Sequence, residues 1–309
     1  MSQQNRTQDA GPPDGVGRLG EEVVVGRIIG MLPESATLIA GPGDDCAVVE
    51  LSEGRWQLLK TDCLVEGVHF VPGTDPRQVG RKAMNRVISD IAAMGGEPRH
   101  ALVTLAIDSG RSMEEIEGWY EGMISAAGEF GCEIAGGETS RLPCQGAVIS
   151  IAMTGLVSPG ECVFRSGASP GDVIAVTGRL GGSFESGRHL SFVPRLPEAR
   201  WLVTHAKPTA MMDLSDGLGS DLPRLAKASG TGYRVDQTLI PCQVGVTREQ
   251  AISDGEDYEL LMTFAPGVFE ALLQKWEEFF PETPLTKIGE ITLETKEALA
   301  TGWEHFRNE

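Results

Sequence analysis

The residues with the clearest chemical potential are carboxylates placed where short apolar strands begin or end. In "TAMMDLSDGLGSDL", Asp213 and Asp216 lie three residues apart after an apolar run, and Asp221 follows in a predicted helix. Four other stretches repeat this placement: "GPGDDCAVV" with Asp44 and Asp45, "LLKTDCL" with Asp62, "AGGETSR" with Glu138, and "SDGEDYELL" with Asp254, Glu256 and Asp257. A turn or a helix cap explains any one of these acids. Their repetition favours a shared binding site.

Asp90 is a sharper indication of such a site. In "DPRQVGRKAMNRVISDIAAMGG", helical spacing places an apolar stripe on one face, and Asp90 falls inside it. The stripe consists of Val79, Ala83, Val87, Ile91 and Met94. A carboxylate facing a core costs several kcal/mol unless something compensates it, and a hard cation is one such compensator. The alternative is an Asp at the edge of the stripe that pairs with Arg86 or caps a loop.

Clustered oxygen ligands without His or Cys metal spacing indicate several Mg²⁺ ions rather than zinc. Such sites commonly hold a polyphosphate, because the metal bridges carboxylate and phosphate oxygens that would otherwise repel each other. The sequence has no G-x-x-x-x-G-K-[ST] motif, so we expect a nucleotide to be held mainly through metals. The Gly-rich stretch "TGRLGGS" (177–183) could receive phosphate on backbone N–H groups, but alone it is weak evidence.

Composition limits the class of protein. The 309 residues are enough for two domains, and 26 Lys and Arg against 44 Asp and Glu give a formal charge of −18, which argues against nucleic acid as a partner. Six scattered cysteines form no C-x-x-C pair, no apolar run is long enough to span a membrane, and the N-terminus lacks a signal-peptide layout. We therefore expect a reduced, cytoplasmic protein without membrane partners.

The elements that must position the acids alternate between strand and helix patterns, which predicts an α+β or α/β protein. Residues 1–18 are polar and rich in Gly and Pro and predict a flexible tail. A Gly-, Pro- and Ser-rich connector at 158–172 then divides the rest into an N-terminal domain, 19–157, and a C-terminal domain, 158–309. Helices are predicted near 19–30, 75–94, 112–130, 183–192, 217–229 and 267–280. Strands are predicted near 46–51, 56–61, 100–107, 147–157, 173–177, 210–213, 233–236 and 258–264.

Seven motifs in this order carry a family resemblance: "GPGDDCAVV", "KTDCLVEGVHF", "SDIAAMGGEP", "GGETSR", "FRSGASPGD", "DLSDGLGSDL" and "DGEDYEL". From about Gly41 onward the chain resembles thiamine-monophosphate kinases, which belong with aminoimidazole ribonucleotide synthetase and selenophosphate synthetase. "VEGVHF" together with "GEDYEL" distinguishes the kinase from its relatives. The resemblance implies the two-domain aminoimidazole ribonucleotide synthetase-like fold, with mixed sheets covered by helices. It also implies ATP-dependent phosphorylation of thiamine phosphate to thiamine diphosphate, in a homodimer whose N-terminal domains associate and whose active sites lie between the two domains.

The resemblance also assigns residues, through the motifs that match. The implied Mg²⁺ ligands are Asp45, Asp62, Asp90, Asp213 and Asp216, with Glu138 where the family commonly has Asp. The implied ATP site comprises Lys60, Thr61, Tyr120, Gly137, Arg165 and Ser215. His69 and Glu256 would contact thiamine phosphate, and Trp303 occupies the place of a C-terminal aromatic. Asp45, Asp62, Asp216 and Arg165 would act on the transferred phosphoryl group.

Plainer interpretations stay open for the residues outside the acid set. His69 can be a half-buried histidine, Tyr120 a core residue and Arg165 a surface ion pair. Trp303 can pack the C-terminus together with Phe306.

The implied chemistry requires no general base, because the attacking phosphate oxygen of the acceptor is already largely ionised near neutral pH. Two other classes remain possible. One is a different ATP-using enzyme of the same superfamily. The other is a non-catalytic protein that binds divalent cations, which the absence of an EF-hand pattern disfavours.

Overall fold

The structure is a computed structural model that describes residues 16–33, 35–51 and 54–303. Most of the predicted tail lies outside these residues. Helix α1 (Val16–Leu19) and helix α2 (Glu21–Ile29) follow, and α2 has no buried residue. They belong to one compact unit together with Ser35 and Trp303, whereas Ala36–Gly302 form the other unit, which carries the rest of the fold.

The first sheet of the larger unit contains β1 (Leu38–Ala40), β2 (Ala47–Glu50), β3 (Trp56–Val65), β4 (Glu97–Ile107), β5 (Glu133–Arg141) and β6 (Ala147–Val157). Its strand order is β1-β2-β3-β6-β4-β5, and its pairs are antiparallel except β4 with β5. That parallel pair needs a crossover, which helix α4 (Met113–Phe130) supplies. The sheet is therefore mixed.

One face of this sheet is covered by α4 and by helix α3 (Pro76–Ala93). Strand β6 alternates buried and less buried residues, so Ile149, Ile151 and Met153 enter the core beneath the helices. The backbones of α3 and α4 approach closely, because a Cβ at Gly80 would lie 1.9 Å from the Trp119 carbonyl oxygen. Glycine at this position lets the two helices pack side by side over the sheet.

The second sheet contains β7 (Val173–Thr177), β8 (Ala210–Asp213), β9 (Gly232–Val235), β10 (Leu260–Phe264) and β11 (Leu285–Thr292). Its order is β8-β10-β7-β11-β9, with antiparallel pairing throughout. Every residue of β7, β8 and β10 is buried. Helices that accompany this sheet are α5 (Leu196–His205), α6 (Leu218–Ala228), α7 (Arg248–Ser253) and α8 (Val268–Phe279).

Helix α3 belongs to both cores. Its central residues pack in the core of the first sheet, whereas Ala92 and Ala93 at its end pack in the cluster that contains Leu202 and Met211. One helix therefore carries side chains to the place where the two sheets meet. The predicted division into domains 19–157 and 158–309 stays a prediction, and the two sheets lie on either side of its boundary.

The predicted helix near 183–192 is wrong. The structure has a short 3-10 helix at Arg188–Leu190 instead. The Ser186 hydroxyl donates to the Gly182 carbonyl at 2.6 Å, and Gly187 takes a left-handed conformation at φ 74°, so an α-helix cannot run through this segment. Several elements were not predicted: α5, α7, β1, β5 and β11.

None of the described helices combines the length and the hydropathy that a membrane span requires.

Candidate active site

Three aspartates from separate parts of the chain meet in the interior. Asp45 precedes β2, Asp90 lies near the end of α3, and Asp213 ends β8. One carboxylate oxygen of each lies within 4.8 Å of those of the other two, and the residues are only 2%, 6% and 3% exposed. The left-handed turn at Gly43, with φ 130°, leads the chain into Asp45. The structure thus brings together three of the six predicted metal ligands.

Two cations face these three carboxylates. Lys60 of β3 donates to Asp90 at 2.6 Å, and the Arg165 guanidinium pairs with Asp45 Oδ1. The Ser89 hydroxyl donates to Asp213 at 2.6 Å. Asp45 Oδ2 is buried without a hydrogen-bond partner. A buried carboxylate oxygen without a partner is energetically costly. This oxygen is therefore suited to bind a cation or a hydrogen-bond donor.

Burial and mutual repulsion perturb the carboxylates. Burial and the neighbouring Asp45 charge raise the pKa of Asp213 to about 6. Burial also raises the pKa of Asp90, although Lys60 opposes this effect. Hard cations such as Mg²⁺ prefer carboxylate oxygens and would relieve both the burial cost and the repulsion. The three side chains therefore fit a divalent cation.

Asp62 and Asp216 are not part of this cluster. Asp62 accepts from Arg86 Nε at 2.9 Å and from Arg86 Nη2 at 3.2 Å, and Asp216 pairs with Arg224. Helix α6 begins after Gly217, and no side chain caps it, so Asp216 does not serve as its cap.

Asp221, the third acid of the stretch that contains Asp213 and Asp216, has a structural role. It is fully buried, accepts from the Asp216 backbone N–H at 3.0 Å and pairs with Arg224 at 2.9 Å. Asp221 thus fixes the turn that carries Asp213 and Asp216.

Glu138 lies on exposed strand β5 and accepts from the Ser140 hydroxyl at 2.7 Å. It lines a cavity of about 400 Å³ together with Tyr120 and Gly137. A Cβ at Gly137 would lie 1.8 Å from the Val103 carbonyl oxygen, so only glycine fits there. The cavity places three predicted nucleotide or metal residues side by side. Among described residues, the close carboxylate cluster does not include Glu138.

The remaining predicted ATP residues lie on different elements. Thr61 is exposed on β3 beside Lys60, and the Ser215 carbonyl accepts from the Glu256 N–H at 2.7 Å. Arg165 is more than a surface ion pair, since it contacts the buried Asp45 and its backbone N–H donates to Asp44 at 2.6 Å.

The Gly-rich turn at 177–183 directs its N–H groups to carboxylates. Gly181 donates to both Asp257 oxygens at 3.0 Å, and Gly182 donates to Asp254 at 2.9 Å. These donors are already used within the chain. The structure therefore gives no support to a phosphate site on this loop.

His69 and Glu256, the predicted contacts of the acceptor, are joined through Lys82 of α3. Its ammonium donates to the His69 carbonyl at 2.6 Å and to Glu256 Oε2 at 2.7 Å. Burial lowers the pKa of His69 to about 4, and the nearby Arg86 adds to this effect, so the ring is neutral. Burial would raise the pKa of Glu256, but the neighbouring His189 and Lys82 outweigh it and lower the pKa to about 2. An ionised carboxylate thus lies 3.8 Å from Arg86, which also pairs with Asp62.

The sequence analysis missed Lys82, and it considered Arg86 only as a partner of Asp90. A usable signal was present, because Lys82, Arg86 and Asp90 follow each other at intervals of four and share one face of a helix. His189 gave no such signal, since it stands in a segment predicted to be an ordinary helix.

Comparison with known proteins assigns the class first. The family model for AIR synthase related protein, N-terminal domain, matches residues 43–157. The matched segment contains Asp45 and Asp90, and the match places this part of the chain in the fold class of AIR synthase related proteins.

The particular family follows from full-length relatives. Thiamine-monophosphate kinase from Bacillus subtilis (strain 168) is 32% identical over 284 residues, which cover 83% of this chain and 86% of that protein. The corresponding protein from Rhodopirellula baltica is 35% identical over 278 residues, 84% of each chain. The solved structure of AaThiL complexed with AMPPCP and TMP matches with a TM-score of 0.79 and 30% identity, covering 93% of this chain and 97% of that one. The chain belongs to the thiamine-monophosphate kinase family, and the predicted fold is confirmed.

Proposed function

We propose that this protein transfers the γ-phosphoryl group of ATP to thiamine phosphate and so forms thiamine diphosphate. Two observations support the proposal: the relatives named thiamine-monophosphate kinase, and the similar AaThiL structure that holds AMPPCP and TMP. The observation within this chain that carries it is the buried group Asp45, Asp90 and Asp213, with its unpartnered oxygen.

Asp45, Asp90 and Asp213 would hold Mg²⁺. Bound there, Mg²⁺ would neutralise phosphate oxygens and orient the transferred group. Asp62, Asp216 and Glu138 are proposed as further ligands. The first two pair with Arg86 and Arg224 in this structure, so those ion pairs would have to loosen before they could contact a metal.

The protein's own groups perform the remaining tasks. The Arg165 guanidinium lies beside Asp45 and can contact phosphoryl oxygens as negative charge develops on them. Lys60 and Arg165 pair with Asp90 and Asp45 and so compensate part of the negative charge of the three carboxylates. The acceptor phosphate attacks directly, because its oxygen is already ionised, so neutral His69 needs to remove no proton.

The wider assignments remain proposals. Lys60, Thr61, Tyr120, Gly137, Arg165 and Ser215 would contact ATP, and His69, Glu256 and Trp303 would contact thiamine phosphate. Glu256 suits this role because its ionised carboxylate can face the cationic thiazolium ring. A homodimer is proposed from the family resemblance. Six free cysteines among the described residues accord with the proposed cytoplasmic location.

The decisive test incubates the protein with ATP, Mg²⁺ and thiamine phosphate and measures thiamine diphosphate by chromatography. Parallel reactions contain EDTA, or thiamine in place of thiamine phosphate. Product formed only with Mg²⁺ and thiamine phosphate supports the proposal. ATP consumption without thiamine diphosphate would indicate another ATP-using enzyme of this class. Cation binding without any turnover would indicate a non-catalytic binding protein.

Glu138 allows a prediction about how the length and the charge of this side chain affect activity. Glu138→Asp should retain substantial activity, whereas Glu138→Gln should lose most of it, because charge matters more than length where water can complete Mg²⁺ coordination. The measurement is kcat and KM for ATP at several Mg²⁺ concentrations. Ser140→Ala is the matched control, since it removes only the hydroxyl that donates to Glu138. Equal activity of wild type and Glu138→Gln would assign the position a structural role.

Trp303 provides a prediction about the acceptor. An indole face attracts a cationic ring by about 0.5–2 kcal/mol, so Trp303→Ala should raise KM for thiamine phosphate about 3- to 30-fold. KM for ATP and the melting temperature should remain nearly unchanged. Trp303 is 41% exposed, and its suggested packing partner Phe306 lies outside the described residues. A large fall in Tm, or equal losses for both substrates, contradicts the stacking role.

A further inference from the structure

Lys82 is an unusually buried cation. Its side chain has no exposed area, although it lies on a helix whose neighbouring positions include exposed ones. A buried ammonium is costly unless its protons are hydrogen-bonded. Burial lowers the pKa of Lys82 to about 8, and Glu256 limits the decrease. Hydrogen bonds from neighbouring groups must therefore stabilise the buried ammonium of Lys82.

Three acceptor positions surround the ammonium. It lies 2.6 Å from the His69 carbonyl oxygen, 2.7 Å from His189 Nδ1 and 2.7 Å from Glu256 Oε2. An ammonium has three donors, so each donor has one partner. The partners come from the turn after β3, the 3-10 helix after β7 and the loop before β10. Lys82 thus joins α3 to three segments that are far apart in sequence.

The loop that carries Glu256 needs such support. Glu256 and Tyr258 have left-handed backbones, with φ 62° and 51°, a conformation that is unfavourable for residues with a side chain. Backbone hydrogen bonds from Glu256 and Tyr258 to Ser215 and Leu214 hold the loop's main chain. They do not orient the Glu256 carboxylate. Among the described residues, the side-chain hydrogen bond that does so comes from Lys82, because His189 Nδ1, although 3.2 Å from the same oxygen, accepts from the Lys82 ammonium.

We infer that Lys82 is a positioning residue for acceptor recognition: its ammonium orients the Glu256 carboxylate toward the cationic part of thiamine phosphate. This inference rests on the proposed function. Lys82 itself has no exposed surface with which to contact the substrate, so it acts through Glu256. Arg86 lies on the other side of the carboxylate, with Nη1 at 3.8 Å from Oε1, and does not replace the shorter Lys82 contact.

The experiment compares wild type, Lys82→Met, Glu256→Gln and the double variant. Methionine keeps the length and packing of the lysine stem but removes the charge. Lys82→Met should raise KM for thiamine phosphate about 10- to 100-fold and change KM for ATP less than about twofold. Lys275→Met is the control, because it makes the same change at an exposed position of α8.

The double variant separates positioning from general packing. If Lys82 acts through Glu256, adding Lys82→Met to Glu256→Gln should change KM for thiamine phosphate by less than about twofold. Equal fold-losses in both backgrounds, or a Lys82→Met variant with unchanged KM, would overturn the inference. If Lys82→Met alone does not fold, the comparison of Glu256→Gln with the double variant decides, since the double variant leaves no unpaired buried charge.

The wild-type reaction distinguishes the two proposals. Wild type that forms no thiamine diphosphate refutes the proposed function, and this inference falls with it. Active wild type together with an unaffected Lys82→Met variant refutes the Lys82 inference alone.

Discussion

Asp213→Asn should strongly reduce phosphoryl transfer while making the metal-free protein more stable. Asp213 is buried, and the Asp45 charge raises its pKa. A neutral amide removes that repulsion, keeps an acceptor for the Ser89 hydroxyl and adds a hydrogen-bond donor within the group of three carboxylates. In EDTA, Tm should rise by about 2–4 °C for each kcal/mol of relieved repulsion.

Catalysis should respond in the opposite direction. Loss of one ligand charge should lower kcat about 10²- to 10³-fold, comparable with loss of one group that stabilises a transition state. The increase in Tm that Mg²⁺ produces in wild type should shrink or disappear, because the ion binds the native state less tightly. The measurements are thermal melts with EDTA and with a Mg²⁺ series, together with steady-state kinetics.

Asp75→Asn is the matched control for Asp213→Asn. Asp75 caps α3 by accepting from the Arg77 N–H, is exposed, and Asn caps helices equally well. It should leave both Tm and turnover close to wild type. If Asp213→Asn turns over normally, the three-carboxylate group is not the metal site. If Asp213→Asn lowers Tm in EDTA, the prediction that it relieves repulsion between the carboxylates is wrong.

Helical periodicity was the most dependable guide from sequence to site. It placed Asp90 within an apolar stripe of α3, and Asp90 is buried there. It could not identify the partner, which is Lys60 rather than Arg86. Lys60 comes from strand β3, thirty residues earlier in the chain. Such a pairing depends on how a helix packs over a sheet, which a local pattern does not contain.

Strand signals were weaker where a strand has few apolar residues. Strand β5 reads "EIAGGETSR", and its side chains are mostly exposed because it forms one edge of the first sheet. The sequence analysis assigned no element to this segment, which carries Glu138. An edge strand made of polar and glycine residues lacks the apolar alternation from which strands are predicted, so the sequence does not indicate it.

The acids themselves could be found from sequence, but their roles could not be separated. Asp213 and Asp221 lie in one stretch and both are buried, yet Asp213 joins Asp45 and Asp90 while Asp221 holds a backbone N–H. The difference arises from the turn at Gly217, which sends the two side chains to different surroundings. Spacing along the chain records neither the turn nor the partners of the two acids, which are Ser89 for Asp213 and Arg224 for Asp221.

Asp216→Asn tests whether the remaining acid of that stretch acts on a metal or only on Arg224. The capping explanation is already unsupported, since no side chain caps α6. The ion-pair explanation remains, because Asp216 and Arg224 are in contact. If Asp216 binds a metal during the reaction, Asp216→Asn should fold normally and lower kcat about 10²- to 10³-fold.

Arg224→Met separates the two explanations of Asp216. It breaks the same ion pair but leaves the Asp216 carboxylate, so a metal role predicts that most activity remains. Its Tm should fall, because the fully buried Asp221 also loses its partner. A pure ion-pair role predicts instead that the two variants lose activity to the same extent. Kinetics at saturating Mg²⁺ and thermal melts of both variants decide between these outcomes. Only a metal role for Asp216 predicts that Arg224→Met, although less stable, is more active than Asp216→Asn.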